Sequence, residues 1–72
     1  MKDPQLRNRL KVARAEMNLS QEELANLAGV TRQTISSIET GQYCPSAVLA
    51  FVLAKRLTKR VDELFFLEEE SQ

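Results

Sequence analysis

From Ser20 to Gly41 the chain reads SQEELANLAGVTRQTISSIETG, a stretch whose local chemistry leaves the backbone few choices. Ser20 and Glu23 stand three apart, the spacing of a capping box in which hydroxyl and carboxylate each satisfy an orphan backbone donor at a helix start. Leu24, Leu27 and Ala28 follow as an inward stripe. Gly29 comes directly after them, where a chain leaves a helix through a left-handed conformation that a Cβ would strain. Thr31 is an N-cap for a second helix from Arg32. In that helix only Ile35 and Ile38 are large and apolar, while Arg32, Gln33, Thr34, Ser36 and Ser37 make its other side polar and short. The segment predicts two short capped helices joined by a glycine turn, the second with one side free for a polar partner.

The flanks read as further helices. Asp3-Pro4 resembles an N-cap followed by proline at the first helical position, and Leu6, Leu10, Ala13 and Met17 at spacings of four, three and four predict a helix to about Asn18. Gly41 ends the second capped helix, Gln42 to Pro45 turns the chain, and Ser46 caps a helix running to about Leu57. A short fifth helix is expected over Val61 to Phe65. No internal repeat, linker or low-complexity segment interrupts this order. The expected fold is all-α, one five-helix domain over residues 1–67 with an acidic tail over 68–72.

Composition narrows the chemistry. Seventy-two residues make one small domain that buries roughly 60 % of its unfolded surface, and 43 % apolar with 28 % charged residues is a globular balance. Cys44 is alone and histidine is absent, so neither an internal disulfide nor a zinc ligand set is expected. No nucleophile stands with a base, no carboxylate pair faces a cleft and no glycine-rich phosphate loop occurs, so no catalytic residues are assigned and no cofactor or metal is expected. The longest apolar run, Ala47 to Ala54, is far short of the roughly 20 residues that span a bilayer, and no charged-then-apolar leader opens the chain. A cytoplasmic protein without a membrane partner is the expectation. Net charge is zero but unevenly placed. Residues 1–60 hold all ten Lys and Arg and only five acids, whereas the last twelve hold Asp62, Glu63, Glu68, Glu69 and Glu70 and no base. Phosphate affinity follows local potential rather than the sum, so the basic region suits a nucleic-acid partner.

The stretches LSQEELA, AGVTRQTIS, IETG, YCPS and VDELF, in this order over Leu6 to Phe65, resemble the phage-repressor and Cro family of helix-turn-helix regulators, also called XRE-type. The resemblance implies a five-helix repressor-like DNA-binding domain with its helix-turn-helix at about 20–40, whose second helix enters the major groove of double-stranded DNA. Carried over by position, it makes Arg32, Gln33, Thr34 and Ser37 the base readers. Their chemistry agrees, since Arg pairs with guanine, Gln with adenine, and the Thr methyl meets that of thymine. Gln21, Thr31, Thr40, Gln42 and Tyr43 match positions that hold phosphates and set register. The same residues have plainer readings: Ser20 and Thr31 cap whatever else they do, and Gln21, Ser36, Thr40 and Gln42 fit an ordinary solvated surface. Arg14 and Glu39 match an internal ion pair and are read as structural.

Three departures from the family pattern bear on partners. Val48 and Val52, four apart on the fourth helix, and Phe66 stand where relatives carry polar residues, and are read as a dimer interface; packed on one another they would instead complete a small core. Thr58-Lys59-Arg60 replaces a glycine, an apolar residue and a Ser or Thr cap. No ligand-sensing domain follows, which fits a minimal regulator or the DNA-binding module of a longer one. The functional expectation is a sequence-specific transcription regulator, a repressor acting as a homodimer on a two-fold symmetric operator. The alternative is a protein-interaction module, an antitoxin or adaptor, working through its fourth and fifth helices.

Overall fold

A computed structural model describes residues 5–68, in the order β1 (Gln5–Asn8), α1 (Leu10–Glu16), α2 (Gln21–Ala28), α3 (Arg32–Glu39), α4 (Ala47–Arg56), α5 (Val61–Leu64) and β2 (Phe65–Glu68). Capping chemistry fixes the starts. The Ser20 hydroxyl accepts from the Glu23 amide at 3.0 Å, and the Glu23 carboxylate accepts from the Ser20 amide at 2.7 Å. The Thr31 hydroxyl accepts from the Thr34 amide at 3.2 Å, and the Ser46 hydroxyl from that of Leu49 at 3.1 Å. Arg60 precedes α5 with its own amide donating to Glu63 at 2.7 Å. No helix among the described residues is long and apolar enough to cross a membrane.

Four of the five helices stop in the same way. After α1, α2, α3 and α4 one residue turns left-handed: Asn18 (φ 56), Gly29 (φ 75), Gly41 (φ 83) and Thr58 (φ 56). The next amide in each case reaches back to the carbonyl five residues earlier, Leu19 to Arg14, Val30 to Ala25, Gln42 to Ser37 and Lys59 to Ala54, at 2.9 to 3.1 Å. These are Schellman turns, which satisfy helix-end carbonyls that would otherwise lack donors. The left-handed residue costs glycine nothing and asparagine little, but a β-branched Thr58 pays for its Cβ. Thr58-Lys59-Arg60 therefore preserves the turn that a glycine would make, under strain.

The ends of the described chain differ from the all-α expectation. Gln5–Asn8, expected within the first helix, is a strand, and it pairs antiparallel with β2 in the register Gln5 to Glu68, Leu6 to Leu67, Arg7 to Phe66 and Asn8 to Phe65. Asn8 explains the late helix start. Its side-chain oxygen accepts from the Leu10 amide at 3.1 Å and its side-chain amide donates to the Ile38 carbonyl at 2.9 Å, so the turn before α1 is anchored to the end of α3. The Arg9 amide donates to the Leu64 carbonyl at 2.8 Å, and Arg7 and Glu68 form an ion pair across the ribbon. Phe65 accordingly opens β2 instead of closing α5. The Asp3-Pro4 cap and positions 69–72 of the acidic tail lie outside the described residues; Glu68 belongs to β2.

The core joins every helix to the start of β2: Leu10 and Ala13, Leu24 and Ala25, Ile35 and Ile38, Leu53, Ala54 and the following Leu57, then Leu64 and Phe65. Leu19, Val30, Leu49 and Val61 pack around it, half-buried. The inward stripe of α2 is Leu24, Ala25 and Ala28, one step rotated from expectation, because small Ala25 lets α3 and α4 approach while Leu27 stays 44 % exposed. Met17 and Leu6 are likewise exposed, since α1 ends before the first and begins after the second.

Replacing Thr58 with glycine removes a left-handed strain of about 1–2 kcal/mol per residue and returns roughly 0.5–1 kcal/mol as added freedom of the unfolded chain. Thr58→Gly is expected to stabilise the domain by up to about 1 kcal/mol, a rise of a few degrees in Tm by circular dichroism. An unchanged or lower Tm would show that the turn is unstrained.

Candidate nucleic-acid interface

The apolar hold on helix α3 comes from two side chains, and its first two residues face outward. Ile35 and Ile38 are 0 % and 1 % exposed, Arg32 and Gln33 are open to solvent, and Thr34, Ser36 and Ser37 are half-buried. The polar side is ordered by its own hydrogen bonds. The hydroxyls of Thr31 and Thr34 lie 3.0 Å apart, and the Gln33 amide donates to the Ser37 hydroxyl at 3.2 Å. Gln33 spends one of its two N–H donors in this way, which leaves its carbonyl oxygen and a second N–H for a partner. Gln33, Thr34 and Ser37, at spacings of three and four, adjoin on one face of α3, and Arg32 opens the helix beside Gln33.

The five residues matched to phosphate-holding positions are placed differently from one another. The Thr40 hydroxyl donates back to the carbonyls of Ser36 and Ser37 at 3.2 and 3.3 Å, and the amides of Gln42 and Tyr43 both donate to the Ser37 carbonyl, at 2.9 and 3.1 Å. One carbonyl therefore sets the path of the α3–α4 link, with Gln42 exposed and Tyr43 47 % exposed. Thr31 caps α3. Gln21, at the first position of α2, turns its side-chain amide inward to Glu39 at 3.0 Å, so its outward offer is the unpaired backbone N–H common to first helical turns.

Behind α3 lies a charged cluster. Arg14 Nε donates to Glu39 Oε2 at 2.7 Å, its Nη2 reaches Oε1 at 3.4 Å, and its Nη1 donates to the Leu19 carbonyl at 2.8 Å. The side chains of Arg14 and Glu39 are 14 % and 5 % exposed. Glu39 is the one acid on α3, and because it is neutralised here it places no negative charge on the outward side, where Arg32 is the charged residue. The part Gln21 plays in the cluster was not legible, since nothing in a chain marks that residues 21 and 39 will meet. Among the described residues no group of His, Cys, Asp and Glu side chains is arranged to hold a metal ion.

The helix-turn-helix family model matches residues 10–64. An HTH-type transcriptional regulator of Bacillus subtilis, YgzD, is 42 % identical over 92 % of this chain and 100 % of its own length. Another from Methanocaldococcus jannaschii is 46 % identical over 90 % of this chain and 98 % of its own. Both relatives are described as uncharacterized. Among solved structures, the restriction-modification controller protein C.AhdI from Aeromonas hydrophila superposes with a TM-score of 0.73 at 38 % identity, covering 76 % of this chain and 80 % of that one. A putative DNA-binding protein from Bacteroides fragilis gives 0.78 at 28 % identity, covering 85 % and 98 %.

Removing the carboxylate charge from the cluster leaves Arg14 inside with only a carbonyl and a neutral amide. Glu39→Gln is expected to lower unfolding free energy by about 3 kcal/mol, the low end for breaking a buried pair, because the Leu19 carbonyl remains. Urea unfolding measures this directly; a loss below about 1 kcal/mol would rank the pair with exposed ones.

Proposed function

The chain belongs to the helix-turn-helix family of the phage-repressor and Cro type, DNA-binding transcription regulators, and on that premise we propose that it is a sequence-specific repressor binding a two-fold symmetric operator as a homodimer. The observation that carries the reading is the division of α3 into a buried isoleucine pair and an open polar side from which its only acid is withdrawn. In this reading α3 lies in the major groove. Arg32 donates bidentately to guanine, and Gln33 uses its remaining oxygen and N–H on adenine. Thr34, its hydroxyl committed to Thr31, offers its methyl to thymine, and Ser37 holds Gln33 in place while reaching a base edge itself.

Phosphate contacts come from around that helix. Thr31, Thr40, Gln42 and Tyr43 surround its two ends, and Gln21 contributes through its backbone N–H at the start of α2. These contacts fix register without reading sequence. One α3 reaches only a few base pairs, so a two-fold pair doubles the site. A dimer that reads one face of the duplex sets its two α3 helices roughly 34–36 Å apart, one duplex turn. Repression follows from occupancy, because a groove filled by the dimer is closed to another protein.

Selection of bound sequences from a random duplex pool tests the reading as a whole and is expected to return an inverted repeat with half-sites one turn apart. Arg32→Ala should cost about 1–3 kcal/mol on the selected site and relax preference at one base pair, whereas Gln42→Ala should weaken all duplexes alike. Equal losses on selected and random DNA for the arginine change would remove its base-reading role. Affinity that does not fall as salt rises would favour the adaptor alternative.

A further inference from the structure

Glu39 is the last residue of α3, and its two carboxylate oxygens are held from two different helices. Oε2 accepts from Arg14 Nε of α1 at 2.7 Å. Oε1 accepts from the Gln21 side-chain amide of α2 at 3.0 Å, while Arg14 Nη2 stands further off at 3.4 Å, beyond the usual N–H···O range. A carboxylate has no proton to give, so the nitrogen end of the amide is the end that faces it. Gln21 is only half-buried, so burial alone does not turn its side chain inward. The residues read as a dimer interface belong to other elements. Val48 and Val52 lie on α4, the first 75 % exposed and the second half-buried, and the same helix leaves Phe51 65 % exposed at its elbow with α5. Phe66 of β2, half-buried, lies under the Arg9 guanidinium, 4.3 Å from ring centroid to Cζ. A change at Gln21 alters none of these side chains.

We infer that Gln21 is a positioning residue for base recognition: acting through Glu39, its side chain sets the roll of α3 and so decides how sharply Gln33, Thr34 and Ser37 read sequence, without itself touching a base. The inference rests on the repressor reading, in which the Gln21 backbone N–H holds a phosphate. One residue then fastens the duplex backbone with its main chain and the recognition helix with its side chain. The apolar contacts cannot supply this, because burial of Ile35 and Ile38 is non-directional and survives a small roll. Small rolls matter at the base edges. At about 100° per residue Gln33 and Ser37 stand opposite the isoleucine pair, and at a side-chain radius of about 5–6 Å a roll of about 10° carries their tips sideways by roughly 1 Å. That displacement exceeds the roughly 0.5 Å width of the N–H···O distance range. Arg14 by itself leaves the carboxylate free to swivel about one short bond, and the Gln21 amide on the second oxygen stops the swivel.

Titration of selected and random duplexes with the full chain tests this in Gln21→Met, which keeps the length of the side chain and removes its amide. The backbone N–H remains, so affinity for random duplex is expected to hold within about twofold while affinity for the selected site falls roughly tenfold, as for one mismatched base pair. A repeated selection should return weakened preference at several base pairs of each half-site together, in contrast to the single position relaxed by Arg32→Ala. Gln21→Lys restores a donor of similar reach opposite Glu39 and should bring the ratio of selected to random affinity back to within about threefold of the unaltered chain, its added charge raising both affinities alike. Circular dichroism, with Tm expected to move by no more than a few degrees, shows that the variants are folded during titration. Equal losses on both duplexes would make Gln21 a plain phosphate contact, an unchanged ratio would deny the side chain any part in reading, and a lysine variant no better than the methionine one would break the link through Glu39; each outcome overturns the inference. An unaltered chain that selects no sequence would sink the repressor reading and this inference with it, whereas a chain that selects an inverted repeat and is indifferent to Gln21→Met would sink the inference alone.

Discussion

Everything that α3 can present outward depends on how it is gripped from behind, and the grip includes a charge. Eight residues are too few for a stable helix in water, so its existence and its rotation are both set by tertiary contact. Ile35 and Ile38 supply the apolar part, and two isoleucines three apart tolerate some roll about the helix axis. Glu39 restrains the roll, because its carboxylate meets Arg14 from α1 and Gln21 from α2 at defined angles. Arg14 in turn holds the Leu19 carbonyl in the turn between those helices. Three helices and one turn are fixed around a single carboxylate. Burying a charged pair is costly in desolvation and adds little net stability over an apolar equivalent, so its physical return here is orientation.

Short-range chemistry made the helix-turn-helix legible. The caps at Ser20, Thr31 and Ser46 and the glycine exits at 29 and 41 involve partners within five residues, and those rules do not depend on the rest of the fold. The two-stranded ribbon was not legible for the converse reason. Leu6 fits a helical stripe with Leu10 as well as it fits a strand, and the choice is made by Leu67 and by the Ile38 carbonyl that Asn8 reaches. Leu27 and Ala25 exchanged places for a packing reason, since periodicity counts positions while closeness of approach favours the small residue. Thr58 shows that a motif can change its residue and keep its backbone.

For the site, residue type and position on α3 marked Arg32 and Gln33 as outward, and their exposure agrees with that marking. Gln21 could be placed at a helix start but not assigned its inward partner, and Phe51 carried no sign at all. An apolar residue on an apolar helix says nothing about which of two sides it occupies, and only the position of α5 decides it. The molecule consequently has two kinds of open surface, a polar one on α3 and its following link and an apolar one at the elbow of α4 and α5, drawn from different elements.

The ribbon closes the described chain nearly end to end, Gln5 opposite Glu68, and this arranges the molecule's events in time as well as in space. Contacts between α2 and α3 are local and form at little entropic expense, while β1 must wait for β2 at the far end of the described residues. Four-residue strands with mostly exposed side chains open more readily than the helical core, so the seam is the first region to fray and the last to knit. Asn8 links that seam to the last turn of α3. Breathing of the ribbon is therefore mechanically connected to the last turn of α3, and not to Arg32 and Gln33 at its beginning.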